Sequence, residues 1–315
     1  MSRVDAFEGL NIAVLLPCFN EALTIAAVVE GFRASLPTAK IWVFDNNSSD
    51  GTAEIAARAG ARVVRERRQG KGNVVRRMFA DVDADIYVMA DGDGTYDPQQ
   101  APKLISTLIE ERADMVVGTR RGVTEDAGRE GHAFGNRLFN GIYANIFGKD
   151  FTDILSGYRA FTRRFAKSFP ASSSGFEIET EMSVHAGQLK MPTAEVELDY
   201  GRRPEGSHSK LSTFKDGFKI LVMIAMLMKE TRPAAFFGLL AGLFGLASLL
   251  LGTPVITQFI ATGLVPRLPT AVLAMGLMLV AVLFTACGLI LDSVARGRVE
   301  NKRILYLAQP PLSVQ

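Results

Sequence analysis

The amino-acid sequence predicts an α/β open sheet followed by an amphipathic helix and two membrane-spanning helices. From residue 11 to about 120, short apolar runs alternate with segments of helical periodicity, which is typical of a sheet whose strands are joined by helices. Residues 211–231 place their apolar side chains on one side of a helix. The apolar excess behind the mean hydropathy of +0.17 lies almost entirely after residue 232, which predicts a membrane-embedded region there.

The candidate strands are rich in Val, Ile or aromatic residues and end in turn residues, as buried parallel strands do. They are Ile12–Leu16, Ile41–Phe44, Arg62–Val64, Ile86–Ala90 and Met115–Gly118. The candidate helices between them are Glu21–Ser35, Thr52–Gly60, Asn73–Val82 and Gln99–Arg112. Ligands of such sheets bind beyond the carboxyl ends of the strands, so the residues that follow each strand carry most weight.

Local signals mark some helix boundaries. Ser49 or Asp50 is expected to cap the second helix, and Pro98 to stand where the fourth begins. The region from 121 to 210 is less regular, and we expect a helix near 135–147 and a strand near 194–200.

Two late segments are long enough to cross a hydrocarbon core. Residues 234–252 and 270–291 contain no charged residue, and as helices they would reach roughly 28 and 33 Å. The loop between them contains Pro254, Pro266 and Pro269 and one charge, Arg267, whereas the tail after Leu291 is basic. Positive-inside reasoning puts that tail in the cytosol, and two spans return the N-terminal domain to the same side.

These features divide the chain into four predicted parts: an N-terminal domain (1–210), an interfacial amphipathic helix (211–232), a transmembrane hairpin (233–292) and a basic tail (293–315). The acidic N-terminus and its short apolar run are unlike a signal peptide. We therefore expect a multi-pass protein of the inner membrane with the N-terminal domain and both termini in the cytoplasm.

Composition excludes two other classes. A net charge of +2 is too small to indicate nucleic acid as a partner. The two cysteines, Cys18 and Cys287, stand in segments of very different character, so a disulfide framework is not expected. Gly238 and Gly242 form a GxxxG pattern that can bring helices or chains together, although alone it is a weak signal.

Three polar segments follow predicted strands: PCFNE (17–21), DNNSSDGT (45–52) and DGD (91–93). Each alone is weak, because Asn and Asp are ordinary turn residues. Together, in this order and at these strand ends, they resemble the family 2 glycosyltransferases of GT-A fold. The resemblance covers about residues 10–210 and extends to the two spans.

The DGD segment points to a metal. Asp91 and Asp93, two residues apart on a turn, can present carboxylates to one hard divalent ion, Mg²⁺ or Mn²⁺, that bridges a diphosphate. The bland alternative is a solvated turn before the helix at Pro98. The resemblance implies that both aspartates serve the metal site, with Asp91 nearer the nucleotide and Asp93 on the ion.

The resemblance also implies a donor site for a nucleotide-sugar. Asp45, Glu21 and the backbone around Pro17 would bind the nucleoside. For Asn20, a helix cap and a direct contact with the donor remain equally open. Lys71 stands in a GKG loop (70–72) that resembles the family's nucleotide-approaching loop and is not a P-loop, because Gly rather than Ser or Thr follows the lysine.

Four further segments bear on the acceptor: GTR (118–120), GNR (135–137), SGYR (156–159) and GSHSK (206–210). They resemble the polyprenyl-phosphate glycosyltransferases, a group that includes dolichyl-phosphate mannose synthases and undecaprenyl-phosphate sugar transferases. Processive synthases need a Gln-x-x-Arg-Trp segment, but the single tryptophan, Trp42, lies in a predicted strand. DGDGTYDP departs from the commoner DAD-type sequence and 206–210 has an extra residue, so the donor sugar and the role of Lys210 stay open.

A phosphate acceptor explains why no general base stands out. A phosphate monoester is already anionic at neutral pH and needs no deprotonation to attack. Arginines bind phosphate with two parallel hydrogen bonds, so Arg120 and Arg137 are the expected acceptor ligands, with Arg203 and Lys210 close to the membrane. The alternative is that these four are surface charges.

The sequence therefore predicts inverting, metal-dependent sugar transfer to polyprenyl phosphate for extracytoplasmic glycosylation, with Asp93, Arg120 and Arg137 acting in catalysis. A nucleotide-sugar, the lipid phosphate and membrane lipid are the expected partners, and the family resemblance suggests a homotetramer. One alternative is transfer to a lipid hydroxyl such as diacylglycerol, with Glu177 or Glu181 as base. Another is a non-catalytic membrane protein that only binds nucleotide-sugars.

Overall fold

The structure, a computed structural model, describes residue 7 and residues 9–121, 151–175, 177–199, 201, 225–226 and 228–312. The described residues fall into two compact units. The first is drawn from Met1–Phe214 together with Lys302–Gln315, and the second from Lys215–Asn301. We refer to them as the sheet unit and the helical unit.

In its described residues the sheet unit holds a seven-stranded sheet in the order β3-β2-β1-β4-β6-β5-β7. The strands are β1 (Ile12–Cys18), β2 (Lys40–Asp45), β3 (Arg62–Arg65), β4 (Ile86–Met89), β5 (Met115–Arg121), β6 (Arg159–Thr162) and β7 (Thr193–Asp199). The helices are α1 (Ile25–Ser35), α2 (Thr52–Arg58), α3 (Lys71–Asp81), α4 (Ala101–Glu110), α5 (Arg163–Ser168) and α6 (Ile178–Leu189). This confirms the predicted α/β open sheet, including the strand expected near 194–200.

Burial of the strands follows their place in the sheet. β1 and β4 lie inside it, and their continuous apolar runs are almost completely buried. β3 was expected to be a buried strand, but among the described strands it lies at the edge and pairs only with β2, and its two arginines are exposed. The guanidinium of Arg62 lies 5.2 Å from the centre of the Trp42 ring and covers part of this edge.

β6 is the strand that the sequence did not reveal. It pairs antiparallel with both β4 and β5, whereas all other pairs in the described sheet are parallel. Four residues are too few for a periodicity to stand out. Because β6 runs the other way, its first residue lies where its neighbours end, at what we call the carboxyl edge of the sheet.

Helix starts differ from the sequence expectations in detail. α1 begins at Ile25 rather than Glu21, with Thr24 at the N-cap. The N-cap of α2 is Gly51 rather than Ser49 or Asp50. Asp50 still supports this end of the helix, because its Oδ1 accepts a hydrogen bond from the Thr52 amide at 3.1 Å. As expected, Pro98 begins a helical turn, a short 3-10 segment that leads into α4.

The last described residues pack on the sheet unit at the edge opposite the carboxyl edge. The Tyr306 hydroxyl donates to Asp114 Oδ2 at 2.7 Å, just before β5 begins. The Arg164 guanidinium lies 5.2 Å from the Tyr306 ring centre and donates through Nε to the Gln309 carbonyl at 3.2 Å. Leu312 packs against the apolar core. The end of the predicted tail is therefore part of this unit.

Two long helices supply most of the helical unit: α7 (Pro233–Thr262) and the greater part of α8 (Leu268–Leu307). They run antiparallel, because contacts pair Phe237 with Phe284 and, further along α7, Ser248 Oγ with the Ala274 carbonyl at 2.7 Å. Pro254 was expected in the loop between the spans, but it lies inside α7.

Both helices are long and apolar enough to cross a membrane. Only 6% and 17% of the residues in their most apolar stretches are buried, so they are unlike the core helices of a soluble protein. The predicted GxxxG glycines do not serve this pair, because a β-carbon on Gly238 or Gly242 would meet nothing within 4 Å. The exposed apolar surface indicates membrane association, while a tetramer stays a prediction.

A buried histidine lies where α5 and α6 pack together. His185 is 1% exposed and its ring centre is 5.4 Å from those of both Phe165 and Phe169. Nε2 lies 3.1 Å from the Ser168 hydroxyl, whereas Nδ1 has no hydrogen-bond partner among the described residues. Burial, and to a smaller extent the charge of Lys302, lowers the pKa of His185 to about 3.

This pKa predicts destabilisation by mild acid. The unfolded chain takes up a proton on His185 near pH 6.5, and the folded chain only near pH 3. The contribution of neutral His185 to the free energy of unfolding is therefore complete above pH 6.5 and is lost as the pH falls towards 3. Between pH 6.5 and 5.5 we expect a loss of about 1 kcal/mol. Thermal melting in detergent should show a flatter pH dependence for His185→Gln, and equal slopes in both proteins would contradict this expectation.

Candidate active site

Four predicted site carboxylates lie near enough to one buried thiol at the carboxyl edge to act on its charge. Cys18, the last residue of β1, is 3% exposed. Burial raises the pKa of Cys18, and the negative charges of Glu21, Asp45, Asp91 and Asp93 raise it further. The structure therefore brings together residues that are up to 75 positions apart in the sequence, from 18 to 93.

Asp45 ends β2 and is completely buried. Its Oδ2 accepts a hydrogen bond from the Ser48 amide at 3.3 Å and lies 3.7 Å from Arg65 Nε. Its Oδ1 is buried without a hydrogen-bond partner among the described residues. A buried carboxylate oxygen left without a donor is costly, which makes this atom a ready acceptor for an N–H or O–H of a ligand.

Asn20 connects two loops of the site. Its side-chain Oδ1 accepts a hydrogen bond from the Ser49 backbone amide at 2.9 Å, and its backbone amide donates to the Ser48 hydroxyl at 2.9 Å. The helix cap considered for Asn20 is wrong, because Thr24 occupies that position. Pro17 lies one residue before Cys18 in β1 and pairs in register with Phe44 of β2.

Asn46 positions the loop that leads to the glycine-rich turn. It is buried, and its Nδ2 donates to the carbonyls of Glu66 and Arg68 at 3.0 and 2.7 Å. Its Oδ1 accepts from the Gly70 amide at 2.7 Å. The hydrogen-bonding groups of its side chain thus hold the loop between β3 and α3 against the end of β2, a role that the sequence did not reveal.

The turn at Gly70–Gly72 packs backbone to backbone on residues 171–174. The Gly72 amide donates to the Ser174 carbonyl at 3.1 Å. A β-carbon on Gly70 would collide with the Ser174 carbonyl oxygen, and one on Gly72 with that of Ser173. Both positions therefore require glycine, because no side chain can yield to make room.

Lys71, between these glycines, forms ion pairs with two carboxylates. Its Nζ contacts Asp91 Oδ1 and lies 2.5 Å from Glu179 Oε1 on α6. The side chains of Lys71 and Glu179 are 9% and 6% exposed. Burial opposes the charge of Lys71, but the two carboxylates outweigh it and raise the pKa of the lysine above its ordinary value.

The glutamates near α6 differ in their surroundings. Glu177, a candidate base in the lipid-hydroxyl alternative, is exposed. Glu181 accepts hydrogen bonds from the amides of Ser172 and Ser173, both at 2.8 Å. It therefore holds the segment on which the glycine turn rests, while Glu179 reaches the charged site itself.

Asp91 and Asp93 follow β4 as predicted, in different surroundings. The side chain of Asp91 is 30% exposed, and Gly157 allows close approach, since a β-carbon there would be 2.9 Å from Asp91 Oδ2. Asp93 is 4% exposed, and its Oδ1 accepts from the Thr95 hydroxyl at 2.6 Å. The Thr24 hydroxyl donates to the Gly92 carbonyl at 2.7 Å and fixes the turn between the aspartates.

This pair suits an ion that is only partly held by protein. In the described part of the chain, no group of three or more His, Cys, Asp or Glu residues is arranged to hold a metal. Mg²⁺ and similar ions accept one or two carboxylates and take their remaining ligands from phosphates and water. The aspartates therefore fit a metal that arrives together with a phosphorylated ligand.

Arg120 lies near the end of β5 and is paired with Asp153. Arg120 Nε and Nη2 donate to the two carboxylate oxygens of Asp153 at 2.8 and 2.9 Å. Burial would raise the pKa of Asp153, but the hydrogen bonds and charge of Arg120 lower it below its usual value. Glu195 accepts a hydrogen bond from the Thr152 amide at 2.7 Å and so fixes the backbone beside Asp153. Arg137, Arg203 and Lys210 lie outside the described residues.

Arg159, from the SGYR segment, shapes the backbone around the site. It is completely buried and donates to the carbonyls of Ser156 and Ile154 at 2.8 and 2.7 Å. A third bond, from Nη1 to the Ser183 hydroxyl at 2.9 Å, ties this turn to α6. Its partners mark Arg159 as a structural arginine that holds the turn beside Asp91.

Acidic residues, an unsatisfied acceptor and a buried lysine thus meet at the point where the strand order of an open sheet reverses, between β1 and β4. Ligands of open α/β sheets bind at such a point. This combination is the one that the resemblance to the GT-A glycosyltransferases implies.

Comparison with known proteins identifies the family. The model of glycosyl transferase family 2 matches residues 13–169. The chain is 40% identical over 229 residues to glycosyltransferase AglJ of Haloferax volcanii, an alignment that covers 72% of this chain and 75% of the relative. It is 26% identical over 220 residues to the undecaprenyl-phosphate mannosyltransferase of Micrococcus luteus, covering 64% of this chain and 88% of the relative. This chain belongs to glycosyltransferase family 2.

Solved structures agree with this assignment. The glucosyl-3-phosphoglycerate synthase of Mycobacterium tuberculosis, solved with Mn²⁺, uridine diphosphate and glucosyl-3-phosphoglycerate, superimposes with a TM-score of 0.59 at 25% identity. The match covers 72% of this chain and 82% of the synthase. The GT-A fold predicted from the strand-end segments is thereby confirmed.

The glycine turn generates a testable expectation. Gly72→Ala should destabilise the protein by about 1–3 kcal/mol, because the new methyl group has to displace backbone atoms of Ser173. Thermal melting in detergent measures the change. Gly297→Ala is the control, since a β-carbon there meets nothing within 4 Å. A Gly72→Ala protein that melts with the parent would show that the turn is not restrained in this way.

Proposed function

We propose that this chain transfers a sugar from a nucleotide-sugar to a polyprenyl phosphate at a membrane surface, with inversion at the anomeric carbon. The proposal of a nucleotide-sugar donor rests on one observation. Asp45, whose Oδ1 has no hydrogen-bond partner among the described residues, lies at the same carboxyl edge as Asp91 and Asp93. A nucleoside offers N–H and O–H donors for Asp45. The mycobacterial relative, solved with UDP and Mn²⁺, supports this reading.

The metal has a defined place in this proposal. Asp91 and Asp93 would hold Mg²⁺ or Mn²⁺, which stabilises the departing nucleoside diphosphate. Lys71 adds a fixed positive charge beside Asp91. Positioning and charge stabilisation by these residues supply the catalysis.

Arg120 supports a phosphate acceptor. Its guanidinium makes a two-point contact with the Asp153 carboxylate, which is the geometry that also recognises phosphate. An acceptor phosphate would take the place of Asp153 on this arginine. Arg137, Arg203 and Lys210 would complete the acceptor site, as the resemblance implies.

The acidic residues near α6 give no support to a hydroxyl acceptor, which would require a general base. Glu177 is exposed, Glu181 holds backbone amides and Glu179 is paired with Lys71. His185 is buried with a strongly lowered pKa. A phosphate monoester, anionic at neutral pH, needs none of them to attack.

The helical unit supports a lipid acceptor. α7 and α8 expose apolar surface along stretches long enough to cross a membrane, and a polyprenyl chain would lie in that membrane. The relative from Micrococcus luteus carries undecaprenyl phosphate in its name. We infer a cytoplasmic sheet unit and cytoplasmic termini, because basic residues follow the second apolar stretch. These are Arg296, Arg298, Lys302 and Arg303.

A donor-by-acceptor screen tests the proposal. Purified protein in detergent receives Mn²⁺ or Mg²⁺ and one of UDP-glucose, UDP-N-acetylglucosamine, UDP-galactose or GDP-mannose, with and without undecaprenyl phosphate. We expect radioactive sugar in the organic phase only when the lipid phosphate is present. Label that enters with diacylglycerol instead would move the function to glycolipid synthesis.

The aspartates of the DGD turn give the matched variants. Asp93→Ala should lower transfer by about a hundredfold or more, because the diphosphate would lose its metal-mediated stabilisation. Asp97→Asn is the control, since Asp97 lies on the same loop but is exposed, and its side chain accepts a hydrogen bond from the Gln99 amide. Transfer that persists in Asp93→Ala would remove the metal from the mechanism.

Arg120→Lys tests the acceptor site. We expect the KM for undecaprenyl phosphate to rise about tenfold with little change in the KM for the donor, because lysine cannot form two parallel hydrogen bonds to phosphate. Steady-state kinetics with each substrate varied measures both. Arg58→Lys, an exposed arginine at the end of α2, is the control. An unchanged KM for the acceptor would exclude Arg120 from this site.

A further inference from the structure

Glu179 is a buried carboxylate that the reaction described above does not use. It lies in the first turn of α6 and is 5% exposed. Its one ion pair in the described residues is with Lys71, which in turn contacts Asp91. Three charged groups thus form a chain from α6 to the DGD turn.

These three groups together carry a net negative charge, because two carboxylates share one ammonium. Burying such groups costs desolvation energy that their attraction rarely repays, so a buried ion pair is poor evidence of a stabilising role. A ligand that brings positive charge to Asp91 would relieve the excess. The excess of negative charge among these three groups therefore indicates that they serve ligand binding rather than folding.

The backbone of Lys71 is fixed independently of its side chain. Gly70 and Gly72 on either side lie against the carbonyls of Ser174 and Ser173, where no β-carbon fits. Without a partner on the far side, the lysine side chain would still be drawn to Asp91 alone. Glu179 is the second partner that decides where the ammonium rests.

We propose that Glu179 is a positioning residue that holds the Lys71 ammonium at the phosphates of the donor. This inference rests on the proposed function. If Asp91 held a metal ion, Lys71 would keep Glu179 as its partner. An ammonium has three N–H donors. Two serve carboxylates among the described residues, which leaves one for a phosphate oxygen.

A double-mutant cycle tests whether Glu179 acts through Lys71. Isothermal titration calorimetry on the full chain in detergent with Mg²⁺ measures the Kd for UDP, or for GDP if the parent binds that instead. We expect Glu179→Gln to weaken binding about five- to tenfold and Lys71→Met about tenfold, because neighbouring charges are strongly coupled. The double variant should bind no more weakly than Lys71→Met, since Glu179 has nothing left to position.

Glu177→Gln is the control for loss of a nearby charge. It removes a carboxylate two residues earlier that is exposed, and it should leave the Kd at the parent value. Parent-like binding by Glu179→Gln would overturn the inference. So would losses that multiply in the double variant, because the two residues would then act separately.

Failure to fold is controlled in two ways. Melting temperatures are measured for each variant with and without nucleotide, and Glu179→Asp keeps the charge while it withdraws the carboxylate from Lys71. If Glu179→Gln does not fold, weakened binding by a folded Glu179→Asp upholds the inference and parent-like binding overturns it. A parent protein that binds neither UDP nor GDP would instead refute the proposed function.

Discussion

The gathering of negative charge at the carboxyl edge is the constraint on which the rest of the site depends. Parallel strands bring their ends to one edge, and here acidic residues end β2 and follow β1 and β4. Lys71 offsets part of this charge, and it is available only because the glycine turn can approach residues 171–174. Negative charge from the first half of the chain is thus offset by a lysine whose position depends on packing against the second half.

Backbone contacts of side-chain amides and carboxylates make this arrangement rigid. Asn20 and Asn46 hold loops that have no regular structure of their own, and Glu181 does the same for residues 172–173. Each gives backbone groups a fixed side-chain partner in place of water, so that few loop conformations remain. A site built from loops consequently acquires the precision that substrate positioning requires.

The parts of the site that were predictable are those written in consecutive residues. Asp45 and Asp91 follow strong apolar runs, so their place at strand ends could be predicted without a structure. Glu179 and its partner Lys71 are more than a hundred residues apart, and one sequence carries no signal that links them. The pairing of Asp153 with Arg120 could not be predicted for the same reason. β6 was missed because its four residues show no period, and with it the antiparallel step in the sheet.

Residues that pack on the sheet unit are synthesised after α7 and nearly all of α8. Tyr306 and Leu312 follow α7 and nearly all of α8 along the chain, yet they pack on Asp114 and on the core of the sheet unit. The ribosome therefore releases the apolar helices before it releases the segment that covers this surface. Both helices are thus available to a membrane before the fold can be finished, and biogenesis acquires a fixed order from the connectivity of the chain alone.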